Sequence, residues 1–131
     1  MDVNLINVMS LAYLGDAIYE VYIREYLIRH GIAMVEELQK ESIKYVSAKN
    51  QAKILTYLMD NNLLTDIELD VIRRGRNYKR TSHPKNTDII TYKMSSGFEA
   101  MIGYLYLNNN KERLDEIINY VLGGNYEKEN S

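Results

Sequence analysis

The chain has 131 residues, 46% hydrophobic and 26% charged, with a formal net charge of −2 and no cysteine. That length suits one ordinary domain with a real core and is short for two, and the absence of cysteine excludes disulfides and thiolate metal sites. No apolar run approaches the roughly 20 residues needed to span a bilayer, and Met1-Asp2-Val3-Asn4 does not open a secretory pattern, so a soluble cytoplasmic protein with no membrane partner is expected.

A single proline, Pro84, and seven glycines leave few breaks, which favours long helices and an all-α fold. Leu11, Leu14, Ile18, Val21 and Ile28 recur at helical spacing and predict a first long helix, closed by Arg29-His30-Gly31. Val35, Leu38, Ile43 and Val46 predict a second helix. Ala52, Leu55, Tyr57 and Leu58 predict a third, ending near Asn61-Asn62. Thr65-Asp66-Ile67-Glu68 is a capping-box signature that opens a fourth helix through Val71-Ile72. The segment after it holds Gly75, Asn77 and Pro84 and reads as a loop. A fifth helix is expected from about Asp88 or Thr91 to Leu107, with Gly97 and Gly103 marking close approach to a neighbouring helix. Asn109-Asn110-Lys111-Glu112 caps a sixth, ended by Gly123-Gly124. Residues 1–131 thus read as a single domain, with 125–131 as a frayed polar tail.

Charge is unevenly spread along this chain. From Arg73 to Lys85 there are six basic residues (Arg73, Arg74, Arg76, Lys79, Arg80 and Lys85) with His83 and no acid, leaving 10 bases against 18 acids elsewhere. A local cationic patch on an acidic body can attract phosphate at one place while the rest resists non-specific adhesion. Its neighbours Asn77, Tyr78, Thr81 and Ser82 suit phosphate or ribose. The plain alternative is a solvated charge run with no partner.

Two acids stand in apolar surroundings. Asp16 is the sole charge between Leu5 and Tyr19, and Glu99 the sole charge between Met94 and Asn110. Helices that apolar are expected to be largely buried, where a carboxylate must be paired, hydrogen-bonded or metal-bound. If the two helices pack, the acids can face each other, and a divalent cation would relieve their repulsion. Magnesium suits a site with so few ligands, because it keeps several waters. The alternatives are structural: a solvated Asp16, Glu20, Arg24 stripe with a Glu20–Arg24 pair, and a Glu99 salt bridge to Lys93 or Arg113.

Leu11-Ala12-Tyr13-Leu14-Gly15-Asp16-Ala17 resembles the signature helix of ribonuclease III, and Phe98-Glu99-Ala100-Met101-Ile102-Gly103 resembles that family's second catalytic helix. Val46-Ser47-Ala48-Lys49, Arg74-Gly75-Arg76-Asn77 and Pro84-Lys85-Asn86-Thr87-Asp88 resemble its Mini-ribonuclease III branch in particular. The resemblance implies an all-α endonuclease domain of about six to seven helices, acting as a homodimer on double-stranded RNA with Mg2+ and without an appended RNA-binding domain. It implies Asp16 and Glu99 as metal-binding catalytic carboxylates. It further implies RNA contacts from Lys49, Arg73, Arg74, Arg76, Asn77, Lys79, Arg80, Lys85 and Asn86. Precursors of large-subunit ribosomal RNA are the implied substrate, with a ribosomal protein as a possible companion. Full-length family members carry four acidic site residues; Met9, Ala12 and Ser96 stand here at positions where acids are usual. Ser96, one turn before Glu99, is expected to reach the metal through a water. The rival functions are a non-catalytic RNA-binding or ribosome-associated protein of the same fold, and a helical protein-interaction module.

Overall fold

The computed structural model describes residues 1–79 and 88–126. After a short 3-10 turn at Val3–Leu5 come α1 (Val8–Arg29), α2 (Val35–Val46), α3 (Ala48–Asp60), α4 (Asp66–Asn77), α5 (Ile89–Leu107) and α6 (Lys111–Val121), with no strand among the described residues. The fold is all-α, as the scarcity of helix breakers predicts.

Local chemistry sets most boundaries. Asn7 caps α1 by accepting from the Met9 N–H, and Gly31 leaves the helix with φ +95°. Ser47 accepts from the Asn50 N–H at the start of α3. The predicted capping box is complete, with Thr65 accepting from the Glu68 N–H while the Glu68 carboxylate accepts from the Thr65 N–H. Asp88 accepts from both the N–H and the hydroxyl of Thr91 to start α5.

Four expectations are corrected. The basic segment begins as helix, since α4 runs to Asn77 and carries Arg73, Arg74, Arg76 and Asn77. Arginine is a strong helix former, Asp70 pairs with both Arg73 and Arg74 one turn on, and Gly75 seats against Gly97 of α5. Second, α3 extends a turn ahead of the Ala52 to Leu58 pattern, to Ala48, because Ser47 supplies the cap. Third, Val21 and Ile28 are exposed; the buried stripe of α1 is Leu11, Gly15, Tyr19, Ile23 and Tyr26. Fourth, the tail is docked as far as Tyr126, which is buried with its ring edge-on to Tyr22 at 5.9 Å. Residues 127–131 lie outside the described residues.

The innermost helix is α5, against which α1, α3 and α4 all pack. Its Phe98, Ala100, Met101 and Ile102 are fully buried, with Phe98 edge-on to Tyr19 of α1 at 5.0 Å. Burying an apolar side chain of that size contributes about 1.5–3 kcal/mol. A polar lock joins the far end: Arg113 of α6 donates from Nε and Nη2 to the Glu68 carboxylate, both at 2.7 Å, and to the Leu63 carbonyl. Burial pushes the Glu68 carboxyl up, but the Arg113 guanidinium and the Thr65 N–H outweigh it and hold it below the usual carboxylate range. No helix among the described residues is long and apolar enough to cross a membrane.

Candidate active site

The site starts from two glycines. A Cβ added at Gly15 would sit 1.7 Å from the Glu99 carbonyl oxygen, and one added at Gly103 would sit 2.0 Å from that of Leu11. The backbones of α1 and α5 therefore touch in an antiparallel crossing that no other residue type permits at these positions. Asp16 follows Gly15 immediately, so the crossing delivers its carboxylate to the side of α5 that carries Glu99. The two carboxylates lie within hydrogen-bonding reach of one another.

Their environments differ, and the expectation that both are buried is half right. Asp16 is exposed, standing on the rim of the crossing, whereas Glu99 is mostly enclosed. The Glu99 carboxyl is pushed up to about 8, first by burial, then by the charge and hydrogen bond of Asp16, with Glu20 adding to the effect. Glu20 itself pairs with Arg24 at 2.9 Å, the structural bridge the sequence suggests. Glu99 pairs with neither Lys93 nor Arg113, the latter being committed to Glu68 and Glu116.

Among the described residues, one side-chain donor faces Glu99. The Gln51 Nε2 of α3 donates to Glu99 Oε2 at 3.3 Å and to the Val46 carbonyl at 3.1 Å. Gln51 is absent from the sequence-based set of candidates. Its signal was present, since extending the Leu58–Leu55 spacing back one turn lands on position 51. Ser96 lies one turn before Glu99 but is buried on the flank facing α4, with its carbonyl beside Gly75, and hydrogen-bonds neither acid.

Among the described residues no group of three or more His, Cys, Asp or Glu could hold a metal ion; the donor set is a carboxylate pair. Two facing oxygen donors, one forced to hold its proton by burial and by the other, match a hard divalent cation that retains waters. The residues fit such an ion.

The basic candidates divide between two surfaces. Arg73, Arg74 and Asn77 line a cleft of about 590 Å³ with Tyr78, Ile6 and Val8, between the ends of α4 and α1. Arg74 Nε is sealed from water without a hydrogen bond and faces Asp70 Oδ2 at 3.3 Å. Lys49 lies on α3 beside Lys53, Thr56 and Thr91, in a separate shallow groove. Lys79 is exposed beyond the end of α4. Arg80, Lys85 and Asn86 lie outside the described residues.

An all-helical domain built around a glycine-mediated crossing that presents a carboxylate pair is the class of protein that fold and site define. The Ribonuclease III domain family matches residues 9–110, and the chain belongs to that family. It is 43% identical over 122 residues to the Mini-ribonuclease 3 of Streptococcus pneumoniae, covering 93% of this chain and 95% of that one. It is 48% identical over 110 residues to the Mini-ribonuclease 3 of Symbiobacterium thermophilum, covering 84% and 83%. A crystal structure of a Fusobacterium nucleatum protein superposes with a TM-score of 0.81 at 32% identity, covering 95% of this chain and 98% of that one.

Proposed function

We propose that Asp16 and Glu99 are the catalytic carboxylates of a magnesium-dependent endoribonuclease that cuts double-stranded RNA. The observation that carries this reading is the α1–α5 crossing, which sets an exposed acid against an enclosed one in a chain of the ribonuclease III family. The ion supplies, when bound, a water activated for attack and stabilisation of the leaving oxygen. Asp16, at the rim, would hold the ion together with Glu99. Glu99, held from behind by Gln51, would hold it from the protein side; Ser96, buried on the flank toward α4, is left without a role at the ion. In-line hydrolysis then leaves 5′-phosphate and 3′-hydroxyl ends.

Lys49, Arg73, Arg74, Arg76, Asn77, Lys79, Arg80, Lys85 and Asn86 are assigned to the RNA backbone. A-form RNA is read by shape and phosphate contacts more than by bases, and cations on α3 and α4 suit such reading. The chain acts as a homodimer, one site against each strand, so that protein symmetry reproduces duplex symmetry. Tyr13 and Leu5, at 85% and 84% exposure on the isolated chain, are apolar surface for a second copy to cover. Precursor ribosomal RNA of the large subunit, met in the cytoplasm with a bound ribosomal protein, is the substrate this reading favours.

The test incubates duplex RNA with the wild type and Asp16→Asn, with and without Mg2+. Cutting that needs Mg2+ and vanishes in the variant supports the assignment. A duplex bound but left intact by the wild type would show an RNA-binding protein instead.

A further inference from the structure

Gln51 is among the most enclosed polar side chains of the protein, at 1% exposure, and it bridges three helices. Its backbone N–H donates to the Ser47 carbonyl, its Nε2 ties down the Val46 carbonyl at the end of α2, and the same nitrogen reaches Glu99 on α5. Both Nε2 protons are thereby used. The Oε1 atom is sealed from water and has no hydrogen-bond partner. A buried acceptor without a donor costs stability, and an apolar residue of the same outline would avoid that cost.

The amide is nevertheless fixed in one orientation. Turning it over would bring Oε1 against the Val46 carbonyl, an acceptor that repels it. The charge balance points the same way. Around Glu99 stand Asp16 and Glu20, both acidic, and a lysine or arginine at position 51 would neutralise them and remove the need for a cation. A neutral donor can orient one oxygen of Glu99 while leaving the negative potential intact.

We infer that Gln51 is a positioning residue for the active site, its amide fixing the Glu99 carboxylate in the rotamer that meets the divalent ion beside Asp16. The inference rests on the reading of Asp16 and Glu99 as metal ligands. Gln51 sits behind Glu99, away from the rim, and touches neither ion nor RNA. Groups that orient a metal ligand from behind typically change metal affinity or activity by about 10–100-fold when removed.

The experiment uses the whole chain and Mn2+ alone as the first probe, counting free ion by electron paramagnetic resonance, then steady-state cleavage of duplex RNA with Mg2+. Gln51→Met keeps the bulk and loses the donor, and is expected to weaken Mn2+ binding about tenfold or more. The same variant is expected to lower kcat at unchanged KM for RNA, while its Tm in EDTA stays close to that of the wild type, loss of the Val46 bond being offset by removal of the partnerless Oε1. Gln51→Glu keeps the outline and puts an acceptor where the donor was, so turnover is expected to fall about tenfold or more even if the methionine variant fails to fold. A folded variant that binds Mn2+ and cuts like the wild type overturns the inference. Wild-type Mn2+ binding that survives Asp16→Asn unchanged overturns the metal-site reading beneath it, so the two failures are distinct.

Discussion

Replacing Glu99 by glutamine keeps the outline of the side chain and removes its charge. The Glu99 carboxyl is pushed from its ordinary value to about 8 by burial and by Asp16. Between about pH 4.5 and pH 8 the native carboxyl keeps a proton that the unfolded one has lost. The native state then binds more protons, so stability falls as pH rises through that window. Each pH unit corresponds to about 1.4 kcal/mol, which bounds the effect near 5 kcal/mol for a sealed site; Asp16 stands in water and its share is screened, leaving about 2–3 kcal/mol. A glutamine can accept from Gln51 and donate to Asp16, so it replaces the strained acid with a satisfied amide. In EDTA at pH 8, Glu99→Gln is expected to melt on the order of 10 °C above the wild type. Near pH 4.5 the two should coincide. Added Mg2+ should raise the Tm of the wild type and leave the variant unmoved. Thermal unfolding by circular dichroism across that pH range measures all of this. A wild type as stable as the variant at pH 8 in EDTA would refute the argument, because the two acids would then not be held against each other.

Three further outcomes follow from other parts of the molecule. Gly103→Ala places a methyl 2.0 Å from the Leu11 carbonyl oxygen, and should cost about 3 kcal/mol or more in urea unfolding as the α1–α5 crossing is forced apart. Arg113→Met leaves the Glu68 carboxylate buried without its guanidinium, a loss of about 3–5 kcal/mol by the same assay; equal stability would mean that water reaches Glu68. Arg76 is half-buried on α4 and makes no ion pair among the described residues. Arg76→Ala should weaken duplex binding and reduce the slope of log affinity against log salt by about 1, with turnover at saturating RNA unchanged.

Much of the architecture was legible in the linear pattern because it is decided locally. The capping box at Thr65, the Asp88 start of α5 and the glycine exit at Gly31 depend on groups within four residues of each other. The isolation of Asp16 and Glu99 in apolar stretches marked both acids for the same reason. The tertiary structure decided what those groups do together. Only packing put Gly15 against the Glu99 carbonyl and thereby set two acids 83 residues apart side by side. Packing of Gly75 on Gly97, added to the local Asp70 pairs with Arg73 and Arg74, kept the segment to Asn77 helical where turn-forming residues suggested a loop. The unequal burial of the pair, and the contact of the Gln51 amide with Glu99, have no counterpart in spacing or composition, although the α3 spacing places position 51 on the buried face. Solvent exposure and hydrogen-bond geometry are set by the neighbours a fold supplies, whereas caps and periodicity are set by the chain itself.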